Sequence, residues 1–376
     1  MKLSFLGKKK SKVDHKDLIK QHLKILRGLQ YESGLFAASA KNVSTGYDKS
    51  WLRDNFYECL AFMVIKDWKT IEKTYESLLE IFLKHEYKID EALKRKPQHR
   101  HEYIHARFHP ETFDEFWEEW GNMQNDSIGS ILFMIGELEH RHKKAILKTE
   151  EQVRIVNKLV QYLASLEYWE DPDNGVWENE EMVHASSVGA CLAGLKSIRR
   201  LEKIEVPDWL IDKGRRALDA LLPRESKERF VDLALLSLIY PYHIVSAKQR
   251  DQILENVEYH LVRERGVIRY KNDWYYNKNP DGQSEEAEWT FGFSWLAIIY
   301  EELGEKKRAQ FYIDKMLATD SPKGVPELYY SNSPHFNENT PLGWAESLFI
   351  VALHEFHSKH MVKKKPNPFF TPAKKR

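Results

Sequence analysis

Glu178 follows Trp177 in GVWENEEMVHASSVG (residues 175–189), and an unbroken apolar helical pattern begins a few residues later. Glu327 stands in PELYYSNSPHFNENTPLGWAES (residues 326–347), again beside aromatic residues and ahead of an apolar helical pattern. A carboxyl group so placed can be held at the mouth of a cleft. Two of them, far apart in sequence, are what glycosidic bond cleavage requires: one protonates the leaving oxygen while the other activates water or attacks carbon. With 57 acidic residues in the chain, each taken alone reads first as a solvated carboxylate or a helix cap, so the assignment depends on its surroundings. The acid must hold a proton near neutral pH, and burial against Trp177 with Glu180 and Glu181 nearby should push Glu178 upward. The base must stay ionised across the sugar, which in inverting enzymes means a separation of roughly 6.5–9.5 Å.

These residues need elements to position them, and periodicity reads as helix nearly everywhere. About twelve helical patterns begin near residues 15, 51, 68, 123, 149, 183, 207, 229, 246, 286, 305 and 341, with no convincing alternating strand. Their character alternates. Residues 246–262 are amphipathic, with Ile253, Leu254, Val257 and Leu261 on one face and a Ser246–Gln249 capping box at the start. The next pattern is apolar almost all round from Trp289 to Tyr300, as are QNDSIGSILFMIGEL and ASSVGACLAGL. Alternating buried and half-buried helices predict an all-α protein of two concentric layers, an (α/α)6 toroid, with the loops entering the inner helices gathered at one end. No Gly/Ser-rich or Pro-rich linker interrupts residues 30–360, so residues 15–360 are expected to form one domain between basic tails at 1–14 and 361–376.

Composition narrows the function. Lys plus Arg and Asp plus Glu both number 57, so the globule as a whole has no electrostatic case for nucleic acid. Aromatic residues make up 12%, with 11 Trp and 18 Tyr, which suits stacking on sugar faces as well as core filling. Cys59 and Cys191 lie in apolar helical patterns and read as buried free thiols rather than a disulfide framework. The start, MKLSFLGKKKSK, lacks a signal-like apolar stretch, and no run approaches membrane-spanning length; a cytoplasmic protein with no membrane contact is expected.

Five inner-helix entrances carry polar-aromatic motifs: WLRDN (51–55), WGNMQND (120–126), GVWEN (175–179), RYKNDWYYN (269–277) and PELYY (326–330). In this order they resemble the catalytic domain of glycoside hydrolase family 15, the glucoamylase family, and the similar helical domains of phosphorylase kinase regulatory subunits, from about Glu32 to Phe356. The resemblance implies that Arg53 and Asp54 bind hydroxyls of the sugar next to the cleaved bond, and that Trp120, Gln124 and Asp126 lie on the cleft wall. It implies Trp177 and Glu178 as the pair whose Glu is the general acid, Arg269 as a substrate-binding arginine, and Glu327, followed by PLGWAES with Trp344, as the segment of the general base. Glu181 joins the expected substrate-binding set. Arg53 could also be held by Asp54, and that pair reads alternatively as a structural ion pair at a helix start. Two positions depart from the glucoamylase pattern. Asn179 precedes Glu180 where many relatives carry a second acid, and Asn272 replaces an acidic residue, so the leaving-group side should differ. The chain shows neither an N-terminal β-sandwich nor a starch-binding module, which points away from raw starch and toward a soluble oligosaccharide.

The segment HRHEYIHARFHP places His105 and His109 one helical turn apart, which admits a zinc site. Without a complete ligand set, and with Pro110 against a continuing helix, it reads rather as the cleft rim. No cofactor or metal is expected. The chain therefore reads as an inverting, exo-acting hydrolase of α-linked gluco-oligosaccharides, with a non-catalytic carbohydrate-binding or regulatory protein on the same scaffold as the alternative.

Overall fold

The computed structural model describes residues 15–118, 120–278 and 285–361. The basic clusters at Lys8–Lys12 and from Lys363 onward lie outside the described residues. Six inner positions are filled by α2 (Leu52–Val64), α5 (Asn125–Gly136), α7 (Ala185–Ile198), a 3₁₀ segment (Leu233–Leu238), α10 (Phe291–Glu302) and α12 (Gly343–Met361). Each packs on the next and α12 returns to α2, closing a ring. Outside it lie α1 (His15–Leu29), α3 (Trp68–Lys84), α6 (Glu150–Leu166), α8 (Asp208–Leu221), α9 (Ala247–Leu261) and α11 (Lys306–Leu317), each packed against an inner element, α11 against both α10 and α12. This is the (α/α)6 toroid. One further helix, α4 (Glu86–Lys94), rests on α6 and α3.

The two layers follow from composition. Inner α10 buries every residue from Phe291 to Glu301, whereas outer α9 buries only Ile253, Leu254, Val257 and Leu261. Each fully buried Leu or Phe contributes about 1.5–3 kcal/mol, so the inner ring concentrates most of the favourable transfer free energy. Two inner helices meet backbone to backbone: a Cβ on Gly129 of α5 would fall 2.4 Å from Cys191 N of α7, and one on Gly194 would fall 2.3 Å from Gly129 O. Only glycine permits that approach. Cys59 and Cys191 are buried and free.

Several elements depart from the sequence reading, the additional helix α4 among them. The pattern near 229 is a 3₁₀ segment rather than an α-helix; Asp232 caps it through Ala234 N, and Pro241, which has no N–H and disfavours helix before it, stops propagation. The pattern near 286 becomes helical only at Phe291, because Glu288–Trp289 (β3) pairs antiparallel with Leu328–Tyr329 (β4). A second short pair joins Ser50–Trp51 (β1) to Arg107–Phe108 (β2). No helix among the described residues is long and apolar enough to cross a membrane.

A buried ion pair ties outer α1 to inner α12. His22 of α1 meets Glu346 of α12 at 2.6 Å and Asp320 at 3.5 Å, with His22 and Glu346 fully buried. Burial opposes charge on His22, but the hydrogen bonds and charges of Asp320 and Glu346 overcome it and raise its pKa from 6.5 to about 9. Burial pushes Glu346 upward in turn, against the pull of His22. The folded state therefore holds a proton on His22 that the unfolded chain releases above about pH 6.5. This stabilisation is complete below that pH and is lost as pH rises through about 9. The thermal midpoint should fall between pH 7 and 10, and a His22→Gln/Glu346→Gln variant should flatten that slope; equal slopes would remove the pair as its cause.

Candidate active site

All six inner elements begin at the end where the polar-aromatic loops lie. Asn55 fixes the approach to α2: its side chain accepts from Phe36 N and donates to Ser50 Oγ and Trp51 O. The β3–β4 pair does the same for Glu327, whose N–H donates to Asn339 O at 3.1 Å while its C=O accepts from Thr290 N at 3.2 Å. The two carboxylates line one pocket together with Arg53, Asp54, Trp177, Arg269, Trp289 and Trp344.

Glu178 sits in a turn outside helix and sheet, with φ of 59°. A non-glycine residue in that region costs about 1–3 kcal/mol and persists only where surroundings impose it. Here they do. Trp177 Nε1 donates to the buried Asp232 at 2.7 Å, and the Trp177 ring stacks near Trp344 and Phe291. The Glu178 carboxylate accepts from Arg53 at 3.2 Å and Gln124 at 2.9 Å on Oε1, and from Trp120 Nε1 at 2.8 Å on Oε2. The carboxylates expected to crowd it face other partners: Glu180 pairs with Arg229 at 3.3 Å, and Glu181 with Arg100 at 2.6 Å.

Glu327 is fully buried, and burial pushes its pKa upward, opposed by Asn339, Asn337 and Tyr47. Oε2 accepts from Asn337 at 2.5 Å and Asn339 at 2.8 Å; Oε1 accepts from the Tyr47 hydroxyl at 3.1 Å, which also meets Tyr275 Oη at 2.9 Å.

Arg53 is bound otherwise than expected. Its guanidinium does not clamp Asp54; it pairs with Asp126 at 3.1 Å and donates to Gln124 at 2.9 Å and to Glu178. Arg53 and Asp54 are adjacent on α2 and diverge, which local spacing does not reveal. Asp54 faces the pocket, and burial raises it to about 7 against the pull of Arg53. Trp120, Gln124 and Asp126 stand behind the pocket lining, gripping Arg53 and Glu178, and one face of Trp120 is covered by Arg107, 3.7 Å from the ring centroid. Arg269 is held by Asp273 through bonds of 2.6 and 2.7 Å and is flanked by Trp177, Tyr275 and Trp289. Trp344 stacks on Phe291 at 4.7 Å and on Tyr57 at 4.0 Å. Glu181 lies apart, bordering a wider hollow beyond Tyr270.

Sequence reasoning passed over Tyr47, Asn337, Asn339 and Trp289. The asparagines and Trp289 stand within or beside segments already singled out, so their nearness to the carboxylates was a usable signal. Tyr47, in the loop TGYDKS, carries none. The departing Asn179 donates to the Tyr270 hydroxyl, and Asn272 N donates to Glu286 at 2.8 Å.

The histidine-rich segment is not one helix. Only Arg100–Glu102 forms a 3₁₀ turn; His99 and His101 stack with each other, His105 is buried before β2, and His109 follows that strand. Burial, with Lys88 and Arg107 nearby, lowers His105 to about 3. Among the described residues no group of three or more His, Cys, Asp or Glu side chains could hold a metal.

A closed helical ring carrying a carboxylate-lined aromatic pocket at one end is a glycosidase-type scaffold. The sequence profile of Glycosyl hydrolases family 15 matches residues 13–359, and the chain belongs to that family. Among solved structures it is similar to a wild-type glycosidase, with TM-score 0.78 and 18% identity over 91% of this chain and 97% of that one. It is similar too to a bacterial glucoamylase complexed with acarbose, with TM-score 0.70 and 13% identity over 91% and 55% of the two chains. At these identities the likeness is one of fold. A probable phosphorylase b kinase regulatory subunit alpha of Caenorhabditis elegans is 25% identical over 378 residues, covering 80% of this chain and 30% of that protein. An uncharacterized glycosyl hydrolase of Methanocaldococcus jannaschii is 25% identical over 266 residues, covering 62% of this chain and 42% of that protein. The chain thus spans less than half the length of these curated relatives.

Proposed function

We propose that the chain is an inverting, exo-acting glycoside hydrolase that releases glucose from α-linked gluco-oligosaccharides, with Glu178 as general acid and Glu327 as general base. The observation that carries this reading is one pocket lined by both carboxylates, two buried arginines and a set of indoles. Glu178 Oε2 meets one donor against two on Oε1, so Oε2 keeps room for the proton given to the glycosidic oxygen. Glu327 Oε1, shared only with Tyr47, is the oxygen left to accept a proton from attacking water. Arg53 Nε and the indole N–H groups of Trp289 and Trp344 are buried with no protein partner, and sugar hydroxyls are acceptors for such donors.

A second reading, a carbohydrate-binding regulatory protein without turnover, draws on the likeness to phosphorylase kinase regulatory subunits and on Asn179 and Asn272. Purified protein incubated with maltose, isomaltose, trehalose and dextrin separates the two. Glucose appearing first as the β-anomer supports the hydrolase. Tryptophan quenching by an acarbose-like pseudo-oligosaccharide without any glucose release supports the regulatory protein. Neither release nor binding would remove both.

A further inference from the structure

We propose that His184, held by Glu225, is a positioning residue for Glu178: its ring seats the turn that presents the proton-donating carboxyl. The inference rests on the assignment of Glu178 as general acid. Gly175 and Glu178 both have left-handed backbones, with φ of 61° and 59°, and Glu178 N donates to Gly175 O at 3.3 Å. The antiparallel bridge between Asp173 and Met182 and the bond from Asn179 N to Asn174 O close the base of this turn, and the ring packed beneath Gly175 limits how far its tip can settle.

Gly175 lies directly on His184. A Cβ at Gly175 would fall 2.8 Å from both Cδ2 and Nε2 of that ring and 3.1 Å from Cε1. His184 is buried, and its Nδ1 lies 3.2 Å from Glu225 Oε1. Glu225 is itself buried and fixed: its carboxylate accepts from Ser186 N at 3.2 Å and from the Ser186 hydroxyl, and its C=O accepts from Ala185 N at 2.7 Å. The contacts form a closed circuit. Glu225 N donates to Arg229 O at 3.1 Å, Arg229 pairs with Asp232 at 3.0 Å, and Asp232 holds Trp177, the residue before Glu178. Burial would lower His184, but the bond to Glu225 and the charges of Asp173 and Glu225 outweigh this and the opposing Arg229, raising it to about 9. His184 does not line the pocket, so it acts through the turn and not on substrate.

Misplacing a catalytic group by about 1 Å costs on the order of 10²-fold in rate. The test compares maltose with α-D-glucosyl fluoride. In the fluoride the C1–F bond breaks as water oxygen bonds to C1, the water proton passes to Glu327, and fluoride departs without needing a proton from Glu178. His184→Ala and Gly175→Ala should each lower kcat on maltose by roughly 10- to 100-fold with KM little changed, and leave kcat on the fluoride within about 3-fold. Glu225→Gln, which keeps the shape of the contact, should fall between these variants and wild type. If His184→Ala does not fold, Gly175→Ala presses the same contact from the other side and decides the matter. Equal losses on both substrates would make the contact merely structural and overturn the proposal, as would folded variants with unchanged maltose turnover. A wild type that hydrolyses the fluoride but none of maltose, isomaltose, trehalose and dextrin would instead sink the role of Glu178, and the positioning role with it; if another of the four is the better substrate, it takes the place of maltose in the comparison.

Discussion

Glu178→Gln and Glu327→Gln should each lower glucose release from the best substrate by about 10²- to 10⁴-fold, the usual contribution of a positioned proton-transfer group. Glutamine keeps the shape of the side chain and loses the transferable proton or the basic oxygen, so oligosaccharide affinity should change far less than kcat. The pH profile should be bell-shaped. Glu327 must be ionised to accept a proton, and because burial pushes it upward, activity should fall with decreasing pH already above the ordinary carboxylate range. Glu178 must be protonated, so Glu178→Gln should erase the alkaline limb. Near wild-type turnover in either variant would strip that residue of its assigned role.

Asp273→Ala should destabilise the fold by about 3–5 kcal/mol, because it leaves the Arg269 guanidinium buried without its partner. The pair is almost wholly withdrawn from water, with side-chain exposures of 4% and 0%, and its bonds to both Asp273 oxygens are short. Replacing both groups removes the uncompensated charge, so Arg269→Met/Asp273→Leu should regain most of the stability while still failing to bind oligosaccharide. Urea unfolding midpoints and a binding titration read the two effects separately. A stable Asp273→Ala protein would show that the surrounding rings of Trp177, Tyr275 and Trp289 suffice to hold the charge.

The sequence by itself determined what is set locally. Alternation between all-round apolar patterns, such as residues 291–302, and striped ones, such as 247–261, encodes an inner and an outer layer, because a helix buries whichever faces are apolar. The Ser246–Gln249 capping box is present as read, since its partners are three residues apart. The motifs around Arg53, Glu178, Arg269 and Glu327 could be singled out because aromatic and charged residues cluster there, at a helix start for Arg53 and in the stretches ahead of inner helices for the others. Tertiary structure alone decided how those side chains are partnered. Arg53 turns from its neighbour Asp54 to Asp126 and Glu178, which lie 73 and 125 residues away. Tyr47 reaches Glu327 across 280 residues, and Glu180 and Glu181 leave Glu178 for Arg229 and Arg100. Even the fourth inner element, helical by its pattern, is shortened to a 3₁₀ segment by Asp232 and Pro241. Periodicity and capping act within a few residues, whereas these pairings exist only because closing the ring brings six separate loops to one end.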